Sequence, residues 1–399
     1  MKVILVPGSF DLKPVLDFIN KIQQLPNDEE YCFDFSHLRW VTPFGMLMIS
    51  QTLKGLRESN YSITYRNLNK HDATHYASYM GFFHSCGFEI GNDTKSKSER
   101  YIPLTYDKVN RLKSNNEIEE LSAELSRLLI LQNRGSLFDA LNYSFREIIR
   151  NVIEHSRSDV FAYCAQYIPN QTRVELAILD TGIGIRKSLS RNPHLDIEND
   201  GDAIKYALMP GISGNTYEGI KIRKDDVWQN SGYGLYMNYR LCNEGGSFFI
   251  GSGSQGLYRT DGEPNTYYDI NYQGTILRLV MNSSNLRDIS LTLERFRDDG
   301  QKIAHKLGKG AVLNASTMSI MLKNNFKIDN KIEVGSKIKH PQYGEGEVTE
   351  KLVTPQGEML WVTFKGGRRK KVLSSDVTVI DIDFTTYSDE NIEIYPDID

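Results

Sequence analysis

The chain has 399 residues, with 47 Lys and Arg against 51 Asp and Glu, so its formal net charge is −4. At roughly 100–200 residues per domain, this length predicts two to four domains, each large enough to bury its own core. Apolar residues make up 40% of the chain and charged residues 25%, which excludes wholesale disorder, collagen and simple repeats. The near-cancelling charges also disfavour a uniformly basic nucleic-acid binder.

The sequence disfavours both membrane crossing and disulfide bonding. Apolar runs such as residues 176–179 are far shorter than the roughly 18–20 residues that span a bilayer. The four cysteines are widely separated and include no pair at CxxC spacing, so neither a zinc knuckle nor a disulfide framework is indicated. We therefore expect a soluble, cytoplasmic protein with no membrane contact.

The first 95 residues have the pattern of a small α/β domain. Amphipathic stretches with helical spacing alternate there with short runs rich in aromatic and β-branched residues. The pattern predicts helices at 12–24 and 44–57, and strands at 1–6, 31–35 and 61–65. Because residues 92–100 are polar and charged, we expect a linker over 96–116.

Residues 117–285 combine longer amphipathic helices with apolar strands, and we expect them to form a second domain. The pattern predicts helices at 117–131, 136–155 and 232–244, and strands at 174–179, 247–251 and 275–281. A charged helix over 286–307 then predicts a helical connector, which we extend to residue 330.

The last part of the chain changes character. Residues 331–380 contain short β-rich runs separated by glycine turns such as Gly366-Gly367, which is typical of a small β-barrel. The tail over 381–399 has seven acidic residues and no basic ones, so we expect it to be solvated.

One face of the predicted helix at 136–155 has three polar groups. Glu147, Asn151 and His155 are spaced at i, i+4 and i+8, which places a carboxylate, an amide and an imidazole on the same face. An amide oxygen can complete a magnesium shell made mostly of phosphate oxygens and water. A carboxylate one turn away can orient or deprotonate a nucleophile. Taken alone, the helix could equally present these residues as its solvated face.

The predicted strand at 174–179 ends in Asp180-Thr181-Gly182-Ile183-Gly184. A carboxylate at a strand end can accept a hydrogen bond from an exocyclic amine and so select adenine, and the two glycines let the backbone approach a flat ring. Asp-Thr-Gly after an apolar strand also occurs in aspartic proteases, which need two carboxylates that share one proton. The chain has no second Asp-Thr-Gly motif to supply the other carboxylate. The protease alternative also leaves Gly184 and the polar face of the preceding helix unexplained.

A Gly-x-Gly pattern, Gly232-Tyr233-Gly234, opens the predicted helix at 232–244. Backbone N–H groups at a helix N-terminus form an anion site suited to phosphates. Alone, Gly-x-Gly is a common turn. Its order in the chain is more specific, because it follows the polar helix and the Asp-Gly strand and precedes Gly274-Thr275 at the head of another strand.

This order of elements over about residues 115–285 resembles the GHKL ATPases, which include the gyrase B subunit, heat-shock chaperones, histidine kinases and mismatch-repair proteins. The resemblance implies a Bergerat-type α/β sandwich that holds ATP and Mg²⁺ between helices and a mixed sheet. It implies that Glu147 is the catalytic base and Asn151 the Mg²⁺ ligand. The other ATP-binding positions that it implies are Asp180, Gly182, Gly184, Gly232, Tyr233, Gly234, Leu235 and Thr275, together with Lys221 and Arg223 in an ATP lid over 208–229.

Both flanking parts have resemblances of their own. Residues 33–46 resemble the STAS-like fold of anti-sigma antagonists, in which a Ser or Thr just before a glycine is phosphorylated by a GHKL partner; here Phe44 has that place and Thr42 lies two residues earlier. We therefore expect Phe44 to be buried, in a structural or dimer-forming role. The barrel region resembles the Tudor-like domain that ends some DNA helicases, which implies a protein or nucleic-acid partner, with a slight preference for protein because aromatic stacking residues are few.

The sequence thus predicts an α/β (α+β) protein in three parts, STAS-like over 1–95, GHKL-like over 117–285 and Tudor-like over 331–380. We expect an ATP- and Mg²⁺-dependent ATPase that acts as a nucleotide-driven switch or regulator, with a protein partner or a homodimer. Two alternatives stay open. One is a protein serine/threonine kinase of the partner-switching type, although Glu154 departs from the Lys that histidine kinases often have there. The other is a non-catalytic nucleotide-sensing adaptor.

Overall fold

The structure is a computed structural model with mixed α and β content, as the sequence predicts, and it divides into two compact units, residues 1–323 and 324–399. The described residues are 1–88, 100–109, 115–130, 136–215, 217, 232–282, 284–285, 289–307, 334, 337–354, 357–374 and 377–379. The predicted tail over 381–399 lies outside them. None of the described helices is both long and apolar enough to span a bilayer.

The N-terminal part of the first unit contains a parallel sheet with its described strands in the order β1-β2-β3. Its elements are β1 (Lys2–Leu5), α1 (Leu12–Ile22), β2 (Glu30–Asp34), α2 (Pro43–Glu58), β3 (Ser62–Arg66), α3 (Asp72–Tyr79) and α4 (Phe82–Ser85). The two predicted helices and three predicted strands are confirmed to within two residues at each end. The predicted burial of Phe44 is confirmed too, since its side chain is fully buried.

Local chemistry fixes where α2 begins. Pro43 stands at the first helical position, where its fixed φ suits a helix and its missing N–H costs nothing. Thr42 caps the helix, because its Oγ1 accepts a hydrogen bond from the Gly45 N–H at 3.1 Å. The same hydroxyl donates to the Phe10 carbonyl oxygen at 2.7 Å. The Thr42 side chain is therefore buried, and its hydroxyl both donates and accepts a hydrogen bond within the N-terminal part.

The rest of the first unit is built on an antiparallel sheet whose described strands have the order β4-β5-β6-β8-β7. Its elements are β4 (Tyr101–Lys108), α5 (Asn115–Ile130), α6 (Ser136–His155), β5 (Val160–Ile168), β6 (Arg173–Asp180), α7 (Gly184–Leu189), α8 (Asp200–Ala207), α9 (Gly234–Cys242), β7 (Ser247–Thr260), β8 (Thr266–Asn282) and α10 (Ile289–Leu307).

The predicted linker over 96–116 is wrong for its central part. Residues 101–108 form β4, which pairs antiparallel with β5 and buries Tyr101, Ile102 and Leu104. The charged stretch before Arg100 suggested a domain boundary. The apolar residues that follow it are nevertheless buried, because their strand pairs with β5. Residues 101–108 of the predicted linker therefore belong to the central sheet, and residues 115–116 begin α5.

The central sheet is covered on both faces, so 1–95 and 117–285 are not separate domains. On β6, Glu175, Ala177 and Leu179 point to one face and the intervening residues, with Asp180, to the other. Ala177 and Leu179 join a single apolar core with Phe33 and other residues of the N-terminal part. The Phe44 ring packs edge-to-face on Phe249 of β7, with 5.4 Å between centroids.

Helix α10 packs against the central part of the first unit, whereas the sequence predicted only a connector between domains there. Gly300 allows this contact, since a Cβ there would lie 3.0 Å from the rings of Tyr233 and Tyr236. The Tyr236 hydroxyl donates to the Phe296 carbonyl oxygen at 3.1 Å, and the Arg240 guanidinium lies 4.3 Å from the Phe296 ring centroid. The described part of the predicted connector thus belongs to the first unit.

The second unit is an antiparallel sheet with its described strands in the order β12-β11-β10-β9-β13. The strands are β9 (Lys337–His340), β10 (Gly344–Thr354), β11 (Gly357–Phe364), β12 (Arg368–Leu373) and β13 (Thr378–Val379). The pairs β9–β10 and β11–β12 are joined by tight turns that the glycines predict, with Gly344, Gly366 and Gly367 at positive φ. The apolar core consists of Ile338, Val348, Leu360, Val362, Phe364 and Val372.

Candidate functional site

An open pocket lies between α6, the β6–β8 strand pair, α7 and the start of α9. About 750 Å³ of empty space lies within and in front of it, and this figure includes open solvent at the mouth. Its lining residues are Ile148, Asn151, Val152, His155, Ser156, Asp180, Gly184, Ile185, Ser188, Leu189, Ala207, Ile212, Ser213, Gly214, Gly232, Leu235, Thr275 and Leu277. The lining thus combines eight aliphatic side chains with seven polar ones and three glycines.

Asp180 is the one carboxylate among the residues that line this pocket. Its side chain is 2% exposed, and its Oδ1 accepts a hydrogen bond from the Gly182 N–H at 2.8 Å. Burial raises the pKa of Asp180 to about 6, although hydrogen bonds from Gly182 and Thr275 oppose that rise. The group is therefore ionised near neutral pH but is costly to leave without a hydrogen-bond donor.

The backbone around Asp180 is held from two sides. Thr275 of β8 lies directly opposite Asp180 in the strand register and also lines the pocket. The Tyr272 hydroxyl donates to the Asp180 carbonyl oxygen at 2.9 Å. Tyr272 belongs to the apolar core shared with the N-terminal part. The position of the Asp180 carboxylate is therefore fixed both by Thr275 at the pocket and by Tyr272 in the core on the other side of the sheet.

The glycines after β6 allow a close approach of two backbone segments. A Cβ on Gly182 would overlap the Ser156 carbonyl oxygen, which accepts a hydrogen bond from the Ile183 N–H at 2.7 Å. Gly184 has φ +76°, a conformation that side-chain-bearing residues rarely adopt. The Ser252 Oγ fixes the next turn, since it accepts from the Ile185 N–H at 3.0 Å and donates to the Gly274 carbonyl oxygen at 2.7 Å.

The predicted polar face of α6 turns towards the pocket at two of its three positions. Asn151 and His155 line the pocket, and the His155 Nδ1 lies 2.9 Å from the Asn215 Nδ2. Glu147 is not a lining residue; it is 2% exposed and lies beneath the start of α9. A Cβ on Gly234 would be only 2.5 Å from the Glu147 Cβ, so glycine lets α9 begin directly over this carboxylate.

The Gly-x-Gly turn places a helix N-terminus at the pocket. Gly232 lines the pocket with φ +67°, and a Cβ there would collide with the Ile212 carbonyl oxygen at 2.6 Å. Gly234 is the first residue of α9, and Leu235 lines the pocket. Tyr233 faces away from the pocket towards Gly300, and burial raises the pKa of its hydroxyl to about 12.

The predicted site residues thus divide into three groups. Six of them line the pocket, namely Asn151, Asp180, Gly184, Gly232, Leu235 and Thr275. Glu147, Gly182, Tyr233 and Gly234 support it from behind. Lys221 and Arg223 lie outside the described residues.

Sequence reasoning missed several polar residues of the pocket. Ser188, Ser213 and Gly214 line it, and Ser252 braces two of its turns. Gly214 approaches the Ser188 backbone so closely that a Cβ would overlap the Ser188 carbonyl oxygen. The Ser213-Gly214 pair was a local signal for such an approach, whereas Ser252 lies within β7 and had none.

The donor set in the pocket fits a magnesium ion that arrives with phosphate ligands. The described residues contain no group of three or more His, Cys, Asp or Glu side chains that could hold a metal ion by themselves. Asn151 lines the pocket, as do Gly232 and Leu235 at the start of α9. Mg²⁺ commonly takes one or two protein oxygens and fills its octahedron with phosphate oxygens and water.

Comparison of the chain with protein-family models gives no match, and comparison with curated proteins gives no significant match. The functional interpretation therefore depends on the geometry of the pocket.

Proposed function

We propose that the pocket binds ATP with Mg²⁺ and that the chain is an ATPase that works as a nucleotide-driven conformational switch. The observation that supports this most directly is the position of Asp180. It is a buried carboxylate in a largely aliphatic pocket that also includes the glycine turn at the N-terminus of α9. An adenine ring and a phosphate chain need these two kinds of surface in one cavity.

Each part of the pocket has a chemical role in this proposal. The Asp180 carboxylate accepts the hydrogen bond of the adenine amine, and the aliphatic walls exclude water from the ring. The N–H groups at the start of α9 and the positive end of its dipole bind phosphate oxygens. Asn151 would hold Mg²⁺, which neutralises phosphate charge when bound. Glu147, one turn before Asn151, would orient or deprotonate the attacking water.

The packing of the N-terminal part favours hydrolysis over phosphorylation within the same chain. Phe44 is fully buried, and the hydroxyl of Thr42 is buried and hydrogen-bonded in both directions. Phosphorylation of Thr42 would require this buried side chain to be exposed and both of its hydrogen bonds to be broken. Phosphate transfer to a separate protein is a distinct outcome that the experiments below detect.

Calorimetry with ATP, GTP and Mg²⁺ tests the binding proposal. We expect ATP to bind and GTP to bind more weakly, because guanine presents a carbonyl where adenine presents the amine. Asp180→Asn should weaken ATP binding about 10- to 100-fold, since it removes a charge-assisted hydrogen bond. Asp196→Asn is the matched control, because Asp196 is an exposed carboxylate between α7 and α8 that does not line the pocket, and this protein should bind ATP normally. An Asp180→Asn protein with unchanged affinity would contradict the assignment.

ATP labelled at the γ-phosphate separates the three functional classes. Free labelled phosphate supports the ATPase, and label on an added protein supports the kinase. Tight ATP binding with neither outcome supports the non-catalytic adaptor.

Adenosine affinity should depend on pH through Asp180. The ionised carboxylate is the better acceptor, so affinity should be constant only well above the raised Asp180 pKa of about 6 and should fall as the pH drops through that pKa. Adenosine is the probe because it lacks ionisable phosphates, and calorimetry at several pH values is the measurement. The Asp180→Asn protein should show no such dependence. A wild-type affinity that is flat through this range would overturn the prediction.

A further inference from the structure

Strand β12 of the second unit is a basic strand at the edge of its sheet. Arg368, Arg369, Lys370 and Lys371 follow one another along it, and all four are exposed. The described residues of this unit contain eight Lys and Arg against four Glu. The strand therefore presents a concentrated positive charge that the near-neutral total of the chain conceals.

One face of β12 sets two of these cations beside a stacked aromatic pair. Arg368 and Lys370 pair in register with the core residues Phe364 and Val362, so they share the face of those residues. The Lys370 Nζ lies 5.9 Å from the centre of the Tyr343 ring, which stacks on His340 with 4.5 Å between centroids. Tyr343 is 41% exposed. An exposed aromatic surface thus adjoins two cations.

The opposite face repeats this combination. Arg369 and Lys371 point there, and Trp361 of β11 lies directly across from Lys371. The Arg369 guanidinium lies 5.0 Å from the Trp361 ring centre and 2.9 Å from a Glu350 carboxylate oxygen. Both partners of that ion pair are more than half exposed, so solvent screens it and a stronger anion can displace Glu350.

We infer that the two faces of β12, with Tyr343 and Trp361, form a binding site for single-stranded nucleic acid. Cations bind the phosphates, and an aromatic ring beside each cation pair offers a platform on which an unpaired base stacks. An acidic peptide would use the cations but has no flat bases for the rings. A duplex has its bases already stacked on each other. The sequence favoured a protein partner because few aromatic residues lie near the basic run along the chain. The sheet nevertheless brings the rings of His340, Tyr343 and Trp361 close to β12.

Fluorescence anisotropy with the full-length protein and a labelled oligothymidine of about 20 nucleotides tests this inference. Arg368→Gln with Lys370→Gln should weaken binding and reduce the slope of log affinity against log salt by about 1.4, the release expected for two phosphate contacts. The matched control, Lys13→Gln with Lys21→Gln, removes the same charge from exposed positions of the first unit and should change neither quantity.

Two aromatic variants test the stacking component. Tyr343→Ala and Trp361→Ala should each weaken oligothymidine binding about 5- to 100-fold, with thermal unfolding curves that verify the fold. The inference fails if the wild type does not bind, if duplex DNA binds as tightly, or if neither aromatic variant weakens binding. It fails too if a peptide with the sequence of 381–399 binds β12 more tightly than the oligonucleotide does. None of these readouts depends on ATP, so they are independent of the proposed nucleotide function.

Discussion

Replacing Glu147 with Gln is expected to lower kcat for ATP hydrolysis about 100- to 10,000-fold, the range over which a general base contributes. Gln has nearly the same shape, so it can occupy the buried space beneath Gly234 without disturbing the start of α9. It cannot accept a proton from water. ATP affinity should therefore change little, because Asp180, Asn151 and the glycine turn remain in place.

A phosphate-release assay at saturating ATP and a binding titration on the same protein measure the two quantities separately. Glu120→Gln is the matched control, since Glu120 is an exposed carboxylate on the neighbouring helix α5. The control should hydrolyse ATP at the wild-type rate. Normal phosphate release by the Glu147→Gln protein would remove Glu147 from the mechanism while leaving the binding proposal intact.

The residues that line the pocket could be predicted where their signal is local. Asn151 and His155 are one helical turn apart, and Asp180 ends an apolar strand shortly before the glycines at 182 and 184. Helical periodicity and strand ends are properties of a few consecutive residues. For this reason the sequence anticipated six lining positions among those first assigned to ATP.

The parts that could not be predicted depend on pairing between distant segments. Ser252 braces two turns only because β7 and β8 are long enough to bring Gly274 beside it. The β4 strand looked like a linker because its pairing partner, β5, is more than fifty residues further along the chain. Propensity and periodicity do not encode such contacts, because they depend on which distant segment packs against the apolar face of a strand.

The union of the N-terminal part with the central sheet is the largest feature that the sequence did not indicate. A signal was nevertheless present, since Glu175 interrupts the apolar run of β6. A charge at such a position must be paired when the strand is buried on both faces. Its partner, Arg278, is on β8 and could be identified only once the strand order was known.

Glu175 lies at the centre of a buried ionic cluster. The carboxylate is 1% exposed and binds Arg278 in bidentate fashion, with Nε and Nη2 each 3.0 Å from an oxygen. Arg173 Nη2 lies 2.6 Å from Oε2, and the Phe44 N–H at the start of α2 lies 3.4 Å from Oε1. Burial alone would raise the pKa of Glu175, but Arg278 and then Arg173 hold it below its usual value. The cluster thus fixes the sheet beneath the N-terminus of α2.

Replacing Glu175 with Leu should lower the free energy of unfolding by about 3–5 kcal/mol, because it leaves the Arg278 charge buried without its partner. Urea unfolding measures this change. The double variant Glu175→Leu with Arg278→Leu should recover most of the loss, since two apolar side chains of suitable size can fill the same space. Lys2→Ala, which breaks the exposed pair with Glu29, should leave the unfolding midpoint unchanged. If the single and double variants were equally unstable, the loss would come from packing rather than from an unpaired charge.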